Sequence, residues 1–249
     1  MKDGFIISLG QRRISLFSLP KIPFDLEEYN IDGVDFSVIL TPSDKYDIRA
    51  SAYNKHLGEY IAEPDALLAI AVFFMKVRGL PVSELEIEYN GTPVRIKASL
   101  SGYNSCALEL EECKLICTNN YISASGTELK VATLSFCESA FVRTMRCEHI
   151  ESVSTPALRE LNFIPGIRDT VASGAYCVRD TELEISCDKG APVSLLLCGA
   201  LLDYSRTHRA GRRLSVKNDC GIEYAEVLSS GLIRLCYLFS VEKTNVRKQ

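Results

Sequence analysis

Thiols are unusually many in this chain of 249 residues, which has 10 Cys and only three His: His56, His149 and His208. The cysteines run from Cys106 to Cys236, scattered and mostly among apolar neighbours. No C-x-x-C pair exists, so a zinc ribbon or dithiol redox motif is disfavoured. Cys147-Glu148-His149 is the nearest approach to a metal pair, and it has no evident partners. Most of these thiols are expected to be reduced, buried and inert. Other catalytic signatures are absent: no G-x-G-x-x-G, G-x-x-x-x-G-K-[ST], G-x-S-x-G or H-E-x-x-H occurs. The basic stretch Arg206, His208, Arg209, Arg212 and Arg213 suits a helix C-terminus, where positive charge complements the dipole; an anion patch is the alternative.

Composition narrows the classes further. Hydrophobic residues make up 47% and charged residues 24%, enough to bury a real core. The 28 basic and 32 acidic residues nearly balance at net −4, against the basic excess of a general nucleic-acid binder. The longest apolar run, Ala66 to Met75, is too short to span a bilayer. The N-terminus reads Met1-Lys2-Asp3-Gly4 and lacks a signal-peptide pattern, so a cytoplasmic location without membrane attachment is expected.

The elements that must position any site are short strands and two marked helices. Strands are expected at Asp35 to Leu40 and Asp47 to Tyr53. Pro64 then opens a helix over Asp65 to Val77, closed by Gly79 and Pro81. It is apolar almost all round, so it should be buried. Leu85 to Tyr89 alternates, Asn90-Gly91 supplies a turn, and Pro93 to Ala98 returns, which is the strongest short-range hairpin signal in the chain. Asn90-Gly91-Thr92 also spells a glycosylation sequon, but Pro93 follows and the turn reading is preferred. Further strands are expected at Ala107 to Leu110, Lys114 to Thr118, Lys130 to Phe136 and within Cys177 to Cys187. A second apolar helix covers Val193 to Leu202 and ends near Gly211. Arg213 to Val216, a turn at Asn218 to Gly221, Ile222 to Val227 and Gly231 to Phe239 complete the pattern.

The halves echo one another. The helix-stop glycines Gly79 and Gly211 are 132 residues apart, and the turn glycines Gly91 and Gly221 are 130 apart. A buried helix, a glycine stop and a hairpin therefore occur twice at nearly one spacing, which implies two similar lobes, 1–118 and 119–249, with the last strand free to cross back. The expected class is α/β (α+β), each lobe a strand layer wrapped around a central buried helix. Two such lobes would leave a cleft. Helix N-termini aimed into it would hold a carboxylate or phosphate.

A family resemblance follows from particular residues. Ile31-Asp32-Gly33-Val34-Asp35, then Asp47-Ile48-Arg49, Tyr53-Asn54 and Glu59 ahead of a buried helix resemble diaminopimelate epimerase, whose run reads roughly G-x-D-G-V, then R-x-F-N-A-D-G-S-E-A-E-M-C-G-N-G. Later, Arg179-Asp180-Thr181 precedes a strand, Asp188-Lys189-Gly190 stands where the family has E-R-G, and Cys198-Gly199 where it has C-G-T-G. The resemblance spans about residues 31 to 240 and lies in pattern more than identity. It implies a two-lobed fold and cofactor-free inversion at an amino-acid α-carbon by two thiols, one per lobe, each at a helix N-terminus. It implies no cofactor, a small amino-acid-like or carboxylate ligand, and is compatible with a homodimer.

The departures redirect the chemistry. Counting from Asn54, the family's first thiol falls on Glu63, or on Ala62 if the register slips by one; G-N-G becomes Pro64-Asp65-Ala66, and Asp-Gly-Ser becomes His56-Leu57-Gly58. The G-N-D-F loop has no counterpart in Met1 to Leu19, G-N-P-H becomes Cys137-Glu138-Ser139-Ala140, and R-T-N becomes Arg168-Asp169-Thr170. Cys198 aligns only with a one-residue insertion. By resemblance to the phenazine-biosynthesis isomerase branch, where an acidic residue replaces a thiol, Glu63 would be a general base for a one-base proton shift. The alternative is an ordinary acidic helix start. Cys198 is the second catalytic candidate if its helix begins near it, or else a small buried residue. Asn54, Thr170, Asp188, Lys189 and Gly199 are the substrate-binding candidates. For Asn54 the alternative is a turn residue. For Asp188 and Lys189 it is a surface ion pair. The runner-up function is a catalytically silent relative that binds a ligand or a protein.

Overall fold

The computed structural model describes residues 2–23, 29, 31–54, 59–60, 62–80, 84–123, 126, 128–138, 140–153, 155–162, 170–187, 191–208, 210–217 and 221–246. Two compact units emerge. One comprises Met1–Leu110, Asp219–Ile222 and Cys236–Gln249; the other comprises Glu111–Asn218 and Glu223–Leu235.

In the first unit the strands are β1 (Lys2–Leu9), β2 (Arg12–Ser18), β3 (Phe36–Thr41), β4 (Ile48–Asn54), β5 (Glu59–Tyr60), β6 (Glu84–Tyr89), β7 (Thr92–Leu100) and β8 (Ser105–Leu110). Helix α1 (Pro64–Val72) lies in the chain between β5 and β6. The second unit carries β9 (Cys113–Ile122), β10 (Glu128–Phe136), β11 (Ala140–Arg146), α2 (Thr155–Asn162), β12 (Thr170–Arg179), β13 (Glu182–Cys187), α3 (Val193–Ser205), β14 (Leu214–Lys217) and all but the first residue of β15 (Ile222–Val227). β16 (Ile233–Leu238) contributes residues to both units, and β17 (Ser240–Val246) belongs to the first.

Strand pairing repeats in the same order in each unit. In the first, β17–β1 and β1–β2 are antiparallel, β2–β3 parallel, β3–β4 antiparallel, β4–β6 parallel and β6–β7 antiparallel. In the second, β9–β10 and β10–β11 are antiparallel, β11–β12 parallel, β12–β13 antiparallel, β13–β14 parallel and β14–β15 antiparallel. A parallel pair cannot be closed by a tight turn and needs a crossover, which is where each central helix sits. α1 lies in the β4-to-β6 crossover and α3 in the β13-to-β14 crossover. Their first residues, Pro64 and Val193, are 129 apart, close to the 130 and 132 separating the paired glycines.

Burial explains the helix composition. Every residue of α1 is buried, against β1, β2, β7 and β8. α3 packs on β9 to β13, with Leu195, Leu196, Leu197 and Cys198 wholly inaccessible. A helix surrounded by strands has no wet face, so the usual amphipathic stripe is missing and nearly every position is apolar. The first helix is shorter than expected: after Val72 the chain widens into a π-type turn over Phe73–Val77, where the Arg78 N–H reaches the Phe73 carbonyl at 3.1 Å. No helix among the described residues is long and apolar enough to cross a membrane.

Two turns show what the backbone demands. Asn90 (φ 48°) and Gly91 (φ 85°) both take positive φ, the type I′ requirement for a two-residue hairpin between β6 and β7. Gly221 (φ 74°) is more tightly constrained: a Cβ there would lie 2.8 Å from the Leu9 carbonyl carbon and 3.0 Å from the Leu238 oxygen. Gly221→Ala should therefore destabilise the protein by on the order of 3 kcal/mol, since the clash is with backbone that cannot swing aside. Urea unfolding checks this; a loss below about 1 kcal/mol would contradict it.

Candidate active site

Glu63 occupies the N-cap position of α1 with extended backbone (φ −134°, ψ 141°), and Pro64 follows at the first helical position. Its side chain makes no capping hydrogen bond, and its backbone N–H donates to the Tyr89 hydroxyl at 3.2 Å. The carboxylate instead lies 2.7 Å from Nη1 of Arg12, the first residue of β2. The same nitrogen lies 3.1 Å from Oδ2 of Asp65, which is fully buried in the first turn of α1. The Tyr237 hydroxyl donates to the other Asp65 oxygen, Oδ1, at 2.9 Å. The Arg12 guanidinium also lies over the Phe36 ring at 5.5 Å, a cation–π contact. One buried cation thus holds two carboxylates at the amide end of a helix, where the dipole favours negative charge.

Glu63 is 7% exposed. Burial is the largest influence on its acidity, pushing the pKa up; Arg12 opposes this, while Asp65 and Asp35 add to it, and the balance lies at about 7 against an ordinary 4.5. A carboxyl that titrates near neutrality accepts a proton more readily than an exposed glutamate and is still substantially ionised at pH 7.

The second unit presents different chemistry at the corresponding place. Counting 129 residues from Glu63 and Asp65 leads to Pro192 and Ser194. Pro192 is the N-cap of α3, and its carbonyl accepts from the Leu195 and Leu196 N–H groups at 3.0 and 3.1 Å. It has no titratable side chain. Ser194 is fully buried and its Oγ has no hydrogen-bond partner among the described residues.

The other candidates are distributed as follows. α3 starts at Val193, the boundary given by the apolar run, so Cys198 lies in the second turn and not at the amide end. The first-turn stabilisation of a thiolate is therefore unavailable to it. Its thiol is hydrogen-bonded with that of Cys113, whose acidity is pushed well below that of an ordinary thiol, first by burial and then by this bond. Native Cys198 should resist iodoacetamide and react only on unfolding, as peptide mass spectrometry would show; stoichiometric native labelling would contradict this placement. Gly199 faces β11: an added Cβ would lie 3.0 Å from Thr144 Cγ2, so the glycine lets helix and sheet approach closely. Asn54 ends β4, paired with Glu59 of β5. Thr170 begins β12 opposite Phe141. Asp188 and Lys189 lie outside the described residues.

Three participants escaped sequence reading. Arg12 and Tyr237 carried no local motif, and Asp65 was read only as part of a helix start. A signal for Arg12 existed in the N-terminal segment: Gly10-Gln11 interrupts two apolar-rich runs, and β1 and β2 form an antiparallel hairpin there.

No family model matches the chain, and no curated protein matches it by sequence. Solved structures do match along its whole length. A putative phenazine biosynthesis PhzC/PhzF protein from Clostridium difficile superposes with a TM-score of 0.68 at 13% identity, covering 99% of this chain and 100% of its own. A predicted epimerase from Pseudomonas aeruginosa gives 0.64 at 12% identity, with 100% of both chains covered. A hydroxyproline epimerase from Agrobacterium vitis, solved with bound trans-4-hydroxy-L-proline, gives 0.61 at 10% identity over 98% of this chain and 92% of its own. The chain therefore has the mixed α/β fold of the diaminopimelate epimerase/PhzF proteins, as the sequence resemblance implied. At these identities the likeness establishes fold and not reaction.

Proposed function

We propose that this protein is a cofactor-independent isomerase acting on a small amino-acid-like carboxylate, with Glu63 as a single carboxylate base in place of a thiol pair. The observation that carries the reading is the buried Glu63 carboxylate at the amide end of α1, poised to titrate near neutrality. In the forward step a carboxylate oxygen of Glu63 takes the proton from the substrate carbon next to the carboxyl or carbonyl group. The C–H electron pair moves into that group as an enolate, and Glu63 becomes a neutral acid. It then returns the proton to a neighbouring carbon, which completes the isomerisation and regenerates the carboxylate. Pro192, at the corresponding place in the second unit, offers no second acid, which supports a one-base shift over two-base inversion. Cys198 remains the second catalytic candidate, but its burial within α3 supports a packing role, so the proposal rests on Glu63. Asn54, Thr170, Asp188, Lys189 and Gly199 are carried as substrate-binding positions through the family resemblance alone, and diaminopimelate is included among the substrates to be tried.

The test is incubation of the protein in deuterated water with a panel of L- and D-amino acids, diaminopimelate and short 2-enoic acids, followed by mass spectrometry. Deuterium entering one of them beyond a protein-free control supports the proposal; no incorporation across the panel removes it. A second reading is favoured by one specific feature. Arg12 already sits against both carboxylates at the helix end, a pairing that a protein without turnover could keep for stability. That reading expects ligand-dependent thermal stabilisation without exchange.

A further inference from the structure

We propose that Arg12 is the positioning residue for Glu63, its guanidinium holding the Glu63 and Asp65 carboxylates together as their shared counter-charge and fixing Glu63 at the amide end of α1. The inference deepens the reading of Glu63 as a base and takes its catalytic meaning from it. The argument is geometric. Nη1 of Arg12 lies 2.7 Å from Glu63 and 3.1 Å from Asp65, so one nitrogen serves two acids separated by a single residue. The guanidinium lies over the Phe36 ring, and Tyr237 satisfies the remaining Asp65 oxygen. The arginine side chain is 13% exposed, so water cannot replace it as a counter-charge at low cost. The groups acting on Glu63 are Arg12 from β2, Asp65 from α1, Asp35 just before β3, and the Tyr89 hydroxyl from β6, which accepts the Glu63 N–H. Of these only Arg12 is a cation. Without it, two buried carboxylates would share one helix end, and one would take up a proton. Lysine would supply the charge from a flexible stem but not the planar, multi-donor head that lies over Phe36.

The experiment is a carbon-13 titration of the full chain labelled at the glutamate side-chain carboxyls, with the Glu63 resonance identified by its loss in Glu63→Gln. The expected midpoint rises by at least one pH unit in Arg12→Gln, a tenfold change in proton affinity. Arg12→Lys should recover at least half of that rise, and Asp65→Asn should lower the midpoint below wild type. An unmoved Glu63 midpoint in a folded Arg12→Gln protein overturns the proposal, even if that variant melts earlier, because a merely structural role would cost stability without moving the titration. Should Arg12→Gln fail to fold, Asp65→Asn decides: a Glu63 midpoint that stays at the wild-type value there overturns it. The titration needs no substrate. A moved midpoint with no deuterium exchange would therefore retain Arg12 and discard Glu63 as a catalytic base.

Discussion

Glu63→Gln should lower α-proton exchange on the responsive substrate by between about 10²-fold and 10⁴-fold, the range that one positioned general base contributes. The amide keeps the shape and much of the packing of the carboxyl but cannot accept the proton. Ligand affinity should change little, because the isosteric side chain leaves Arg12 in place and Asp65 still pairs with it. The measurement is the exchange rate at saturating substrate, with the thermal shift on ligand addition recorded in parallel. A variant that exchanges within tenfold of wild type would remove Glu63 from the chemistry. Loss of both exchange and ligand binding would mean that the residue had been holding the site together.

The second large effect is on stability and comes from the same shift in acidity. The folded protein binds a proton at Glu63 up to about pH 7, whereas the unfolded chain releases it at about 4.5. Between those values the native state holds more proton than the unfolded state, so stability falls as pH rises. The contribution of Glu63 is fully present below about pH 4.5 and is lost as pH rises through about 7. Its size is on the order of 3 kcal/mol, since each unit of pKa difference is worth about 1.4 kcal/mol. Glu151 acts in the opposite sense: its acidity is strengthened first by a backbone hydrogen bond and then by Arg179, which favours folding at higher pH. Comparison with Glu63→Gln cancels that contribution. Urea unfolding at pH 5 and pH 8 should show wild type losing stability relative to Glu63→Gln across that interval. A difference between the two proteins that does not vary with pH would contradict the assigned acidity.

What the sequence disclosed, and what it did not, follows from the range of the interactions. The hairpin at Asn90-Gly91 was legible because positive φ at adjacent residues is a local demand. Both central helices were legible because burial on all sides leaves continuous apolar runs, and the start of α3 at Val193 matched the apolar run and not the position that would have favoured Cys198. The twofold order of strands could be read only coarsely, through the spacing of helix-stop and turn glycines. The pairing of β17 with β1 joins the two ends of the chain and carries no local signature. α2 escaped because eight residues containing Pro156, Arg159 and Glu160 bury only Leu158 and Leu161 deeply. At the site, Glu63 was reached by counting from Asn54. Its counter-ion lies 51 residues upstream and its neighbour's hydroxyl partner, Tyr237, 172 residues beyond Asp65, so neither could be found from spacing. Propensity describes neighbours in the chain, whereas this cluster is assembled by sheet and helix packing.

The central claim is that one carboxylate both removes and returns the proton. It is tested most directly by isolating the product of the first turnover in deuterated water and measuring the hydrogen at the newly protonated carbon. A single base should return part of the substrate's own hydrogen, so the early product should contain a measurable protium fraction that disappears in Glu63→Gln along with turnover. A first-turnover product carrying only solvent deuterium, from substrate that is still fully protiated, would show that the abstracted hydrogen is not the one returned and would contradict direct return by Glu63.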